Sequence, residues 1–114
     1  MTFIELPLFT KQITSLVPDE VYLDFQKGLI RRPEQGDVIP HSGGLRKARM
    51  VLAGRGKRGG AWVIYLHVPQ QEVIVLFHAY TKAACEDISA DQLKRLRMAA
   101  ETIKREFRHE AKRD

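Results

Sequence analysis

The spacing of hydrophobic positions along this chain changes period twice. Residues 3–6 form a short run that Pro7 interrupts, which predicts an opening strand. Phe9, Ile13 and Leu16 then recur at intervals of four and three, the spacing of a short helix. A second helix is expected to start at Pro18-Asp19-Glu20, where a proline and two acids suit an N-terminus. Tyr22, Phe25 and Leu29 make its apolar stripe with Val21 alongside, Arg31 and Arg32 suit its end, and Pro33 stops it. Two such helices in succession predict an αα-hairpin lying on a sheet.

Strand-like runs follow at residues 45–52, 61–68 and 72–81. The segment 54–60 is too long for a two-residue hairpin, and Pro69-Gln70-Gln71 makes the next turn. Val73 to Phe77 is apolar at every position, so both faces of that strand are expected to be covered. Ser89-Ala90-Asp91-Gln92 is a capping box, with Ile88 and Leu93 placed for a hydrophobic staple. Leu93, Leu96, Ala100, Ile103 and Phe107 then step by three and four along an amphipathic helix that frays after His109. The expected fold is α+β in the order β-α-α-β-β-β-α. It is one domain over 1–114, with a small antiparallel sheet, the N-terminal helical hairpin, the C-terminal helix and the opening strand at a sheet edge.

Charge adds a location to this outline. Arg46, Lys47, Arg49, Arg55, Lys57 and Arg58 lie within thirteen positions that hold no acid. Without them the chain's 19 basic residues fall to 13, against 14 acidic ones. The net charge of +5 is therefore the property of one Gly-rich segment, the footprint of a polyanion such as a nucleic acid. The basic residues of the last helix are read as a solvated face. The single cysteine, Cys85, excludes an internal disulfide framework and fits a reducing cytoplasm. No segment is apolar and long enough to be a secretory signal or to span a membrane.

Strand parity then groups the chemistry. Lys47 and Arg49 share a face with Leu45 and Val51, while Arg46, Ala48 and Met50 take the other. Two cations on one face, followed by a basic loop, make a platform for adjacent phosphates; a solvated edge with aggregation-blocking charge explains them equally well. His78, Tyr80 and Lys82 share a parity opposite to Val75, Phe77 and Ala79. Set beside Lys47 and Arg49 they offer an acid–base kit for RNA cleavage, although Tyr80 can equally be a rim aromatic and His78 a satisfied sheet histidine. His41, His67, His78 and His109 have no ligand spacing and no carboxylates cluster near the basic segment, so neither metal nor cofactor is expected. The Gly-rich loop lacks the spacing and the Ser/Thr of a Walker loop.

The sequence resembles the RelE/ParE superfamily of toxins from bacterial toxin–antitoxin pairs, closest to its HigB-like branch. The resemblance rests on Gly36-Asp37-Val38-Ile39, on Gly43-Gly44-Leu45-Arg46-Lys47-x-Arg49, and on Gly54-x-Gly56-Lys57-Arg58-Gly59-Gly60. Val63-Ile64-Tyr65 and Lys82 extend it over almost the whole chain. It implies a metal-independent endoribonuclease that cuts mRNA on the ribosome by attack of the 2′-hydroxyl, inhibiting translation, with a helix-turn-helix antitoxin as partner. It also implies that Lys47, Arg49 and Lys82 fall on the family's catalytic cations, with Tyr80 added from parity. Arg46, Arg55, Lys57, Arg58, Trp62 and His78 are then the expected RNA contacts. A lysine crowded by cations is expected to have a depressed pKa and to serve as a base. Trp62 stands where relatives usually carry arginine, and packing and base stacking are both open to it. A gyrase-inhibiting toxin of the same fold and a non-catalytic RNA- or ribosome-binding module remain alternatives.

Overall fold

The computed structural model describes residues 1–51, 60–81 and 87–113. The elements are β1 (Thr2–Glu5), α1 (Pro7–Leu16), α2 (Asp19–Arg31), β2 (Asp37–Val38), β3 (Arg46–Met50), β4 (Ala61–Val68), β5 (Val73–Thr81) and α3 (Ala90–Arg113). Five strands form one sheet in the order β1-β5-β4-β3-β2. The expected meander is β3-β4-β5, and β1 is at its edge. β1 runs parallel to β5, so the sheet is mixed. A parallel pair needs a long crossover, and here everything between the two strands serves as one. β2 is too short to show a period, and the sequence pattern gave no sign of it.

Both faces of the sheet are covered. Phe9 and Ile13 of α1 and Phe25 and Leu29 of α2 pack on Ala48, Met50, Val63, Tyr65, Ile74 and Leu76. Leu96, Ala100, Ile103 and Phe107 of α3 pack on Leu45, Ile64, Leu66, Val75 and Phe77 on the other side. Coverage on two sides is why β5 reads as a continuous apolar run rather than an alternating one. The predicted capping box closes in both directions: Gln92 N–H donates to Ser89 Oγ (3.2 Å), and Ser89 N–H to Gln92 Oε1 (3.0 Å).

Two side chains fix the connection between α2 and β3. Tyr65 is fully buried; its hydroxyl donates to the Pro33 carbonyl (2.8 Å) and accepts from Gly36 N–H (2.9 Å). Arg46 donates from Nη1 to the carbonyls of Gly36 (2.8 Å) and Glu34 (3.2 Å). A buried donor or acceptor without a partner costs about 1–3 kcal/mol, so these bonds hold β2 against β3. Among the described residues, no helix is long and apolar enough to cross a membrane.

Candidate functional site

α3 packs over the half of its sheet face nearest the Val68–Val73 connection. The other half of that face carries Lys47, Arg49, Trp62 and Tyr80. Register brings them together: Arg49 lies opposite Trp62 on β4, and Trp62 opposite Tyr80 on β5. Lys47 is one step along, opposite Ile64 on one side and Asp37 on the other.

Tyr80 reaches this face because of a bulge. Ile64 pairs with His78 but Tyr65 pairs with Leu76, so Phe77 is an extra residue in β5. Strict alternation from Ile74 and Leu76 would have turned Tyr80 toward α1 and α2. The extra residue resets the parity, and Tyr80 joins Val75 and Phe77 on the α3 side while Ala79 goes to the other. The expected opposition of Tyr80 to Val75 and Phe77 is thus corrected, although Tyr80 does end beside Lys47.

The charged groups lock onto one another. Lys47 Nζ lies 4.5 Å from the centroid of the Trp62 ring, and Arg49 Cζ lies 5.9 Å from it. The indole π system therefore attracts both cations. Lys47 Nζ also lies 5.9 Å from the centroid of the Tyr80 ring and forms an ion pair with Asp87 (3.4 Å). Tyr80 Oη in turn donates to Asp87 Oδ1 (3.4 Å), which also accepts the Ile88 N–H (2.8 Å).

These contacts set the protonation states. Burial pulls the Lys47 pKa down, but Tyr80 and then Asp87 outweigh it, and the net result lies above the usual lysine value. The expected depressed lysine base is thus corrected: Asp87 supplies negative charge where only cations were foreseen. Burial pushes the Tyr80 hydroxyl up, with Lys47 pulling it only partly back, so it is protonated at neutral pH. The Ile88 N–H, joined by Lys47 and Tyr80, holds the Asp87 carboxyl below the usual range despite some burial.

His78 stacks beside Tyr80 with ring centroids 5.5 Å apart. Gln12 of α1 reaches the edge of β5 beyond the end of β1, where its Oε1 accepts the Ala79 N–H (2.8 Å). A backbone N–H can only donate, so the other end of that amide, Nε2, must donate to His78 Nδ1 (3.1 Å). His78 is therefore the neutral tautomer protonated at Nε2, and burial lowers its pKa.

Arg46 is not brought into the cluster. It lies on the α1–α2 side of the sheet, opposite Tyr65, and its guanidinium is tied to backbone carbonyls. This placement sets Arg46 apart from the cluster, as the parity noted in the sequence already separated it from Lys47. Arg55, Lys57, Arg58 and Lys82 lie outside the described residues. Asp37 and Asp87 were missed, because each is distant in sequence from the basic segment and is delivered by pairing or by the approach to α3. Among the described residues, no group of three or more His, Cys, Asp or Glu could hold a metal ion.

No family model matches the chain. Among solved structures, a mutant of the E. coli toxin RelE in its free state aligns with a TM-score of 0.57 and 14% sequence identity. The alignment covers 83% of this chain and 96% of that one. This chain has the RelE fold. At 14% identity the likeness lies in the architecture, so the roles of Lys47, Arg49, Trp62 and Tyr80 rest on their own geometry.

Proposed function

We propose that the chain is the toxin of a toxin–antitoxin pair, a ribosome-dependent endoribonuclease that cuts mRNA without a catalytic metal. The observation that carries this reading is the Lys47–Arg49–Trp62–Tyr80 cluster on the α3 side of the sheet, in a chain with the RelE fold. Attack of a 2′-hydroxyl on the adjacent phosphate, with its proton passing to solvent water, forms the 2′-oxygen–phosphorus bond, breaks the bond to the 5′-oxygen and leaves a cyclic phosphate. The protein must hold the attacking and leaving oxygens in line and stabilise charge on the pentacoordinate phosphorus. Lys47 and Arg49, held over the indole, meet that charge with their own positive charge. Tyr80, protonated and hydrogen-bonded to Asp87, gives its proton to the departing 5′-oxygen in this reading. Lys82 completes the proposed catalytic set, with Arg55, Lys57 and Arg58 of the basic segment gripping flanking phosphates. A helix-turn-helix antitoxin is the proposed partner, presenting acidic groups to this face.

End-group analysis of mRNA cut on translating ribosomes tests the chemistry. A 2′,3′-cyclic phosphate or its 3′-phosphate product, lost in Lys47→Ala, is expected. A 3′-hydroxyl would exclude the mechanism. Growth arrest with intact mRNA would point to a gyrase-directed toxin, and binding without either effect to a non-catalytic module.

A further inference from the structure

Beside the cation cluster, between the β2–β3 edge and the start of α3, lies a cavity of about 330 Å³. We propose that it binds the unpaired nucleobase next to the phosphate held at Lys47, and that Asp37 makes it favour bases carrying an amino group over uracil. The inference rests on the RNA reading above and adds to it the rule by which the site chooses its substrate.

The size is the first argument. Pockets for small organic ligands begin at roughly 300 Å³, so this one suits a single ring system. Its walls are the second. Ile39 and Pro40 from the segment after β2, and Ile88 and Leu93 from the approach to α3, offer apolar surface to the faces of a ring. Position is the third: Lys47 and Asp87 line the cavity and also belong to the cation cluster. A base seated there is one nucleotide away from a phosphate at Lys47. Single-stranded RNA is read in this manner, with bases splayed into pockets and recognised along their Watson–Crick edges.

Selectivity follows from what the cavity can exchange. Asp87 Oδ1 is already engaged by Ile88 N–H, Lys47 and Tyr80. Asp37 sits opposite Lys47 in the strand register, so its side chain shares that face, and it lines the cavity. An ionised carboxylate accepts hydrogen bonds and cannot donate them. Cytosine N4, adenine N6 and guanine N2 each present donors to it. Uracil presents carbonyl oxygens on both sides of one N–H, and at least one of them would be repelled.

Cytosine and uracil stack alike and differ only along the Watson–Crick edge, at position 4 (amino against carbonyl) and at N3 (acceptor against N–H donor), so they isolate the edge that Asp37 reads. Binding of 2′-O-methyl hexacytidylate and hexauridylate, which cannot be cleaved by 2′-hydroxyl attack, is measured by fluorescence anisotropy. The wild-type chain is expected to prefer the cytidine oligomer by about fivefold, the low end for one base-edge contact. Asp37→Asn, which can donate to the uracil O4, is expected to bring the ratio close to one with unchanged thermal stability. Equal wild-type affinities, or a preference that survives Asp37→Asn, would overturn the cavity proposal while leaving the RNA reading standing. Binding of neither oligomer, with the protein folded, would also overturn the cavity proposal, while the end groups of mRNA cut on translating ribosomes decide the RNA reading separately.

Discussion

At the scale of single residues, His78 shows how a hydrogen-bond direction becomes a pH dependence. The Ala79 N–H orients Gln12, and Gln12 in turn demands an unprotonated Nδ1 on His78. Protonation would set two donors against each other in a half-buried position. The folded-state pKa is lowered relative to an unfolded value of about 6.5. The stability associated with neutral His78 is therefore complete above about pH 6.5 and is lost as pH falls through the lower folded-state value. Thermal denaturation from pH 7.5 to 5 should show the wild type losing more stability than His78→Leu. Parallel curves would mean that His78 does not titrate on unfolding. The sequence offered His78 as either an RNA contact or a satisfied sheet histidine, and the geometry around Gln12 describes the second. Trp62 was open in the same way. Its partly buried indole packs at the edge of the α3-side core and carries the cations, so packing and charge placement are one role.

At the scale of elements, the helical stripes and the capping box were legible because a period of 3.6 residues exposes one face at a time. Two features were not. Parity inside the continuous apolar run of β5 has no visible marker, so the bulge at Phe77 left no trace in the sequence pattern. Nor did β2, whose two residues align with Tyr65 and Arg46 clamping the chain before them and the Ile39 N–H bonded to the Leu45 carbonyl after them. Gly36 is the close point of that clamp: a Cβ there would lie 2.9 Å from the Lys47 carbonyl oxygen and 2.9 Å from Tyr65 Cε1. Backbone cannot yield as a side-chain tip can, so Gly36→Ala should destabilise by about 1–3 kcal/mol and shift β2 off β3. Tyr65→Phe keeps the ring but leaves the Gly36 N–H and Pro33 carbonyl without partners, with a cost of the same order. Urea denaturation measures both, and wild-type midpoints would show that the clamp does not hold β2.

At the scale of the whole molecule, the sequence located the excess charge but could not say which cations act together. Of the six in the basic segment, Lys47 and Arg49 meet over one indole, Arg46 serves the opposite face, and α3 carries a separate exposed set including Arg105 and Arg108. Net charge alone would make these groups interchangeable for RNA binding, whereas the structure makes them unequal. Salt dependence separates the two ideas, because each phosphate contact with a single strand contributes about 0.7 to the log–log slope. Lys47→Ala and Arg49→Ala should each flatten the slope by about that amount. Arg105→Ala and Arg108→Ala remove the same formal charge from the far part of α3 and should leave the slope near its wild-type value. If all four substitutions flatten it equally, the polyanion is drawn to the molecule as a whole, and the cluster around Trp62 has no special claim on the phosphates.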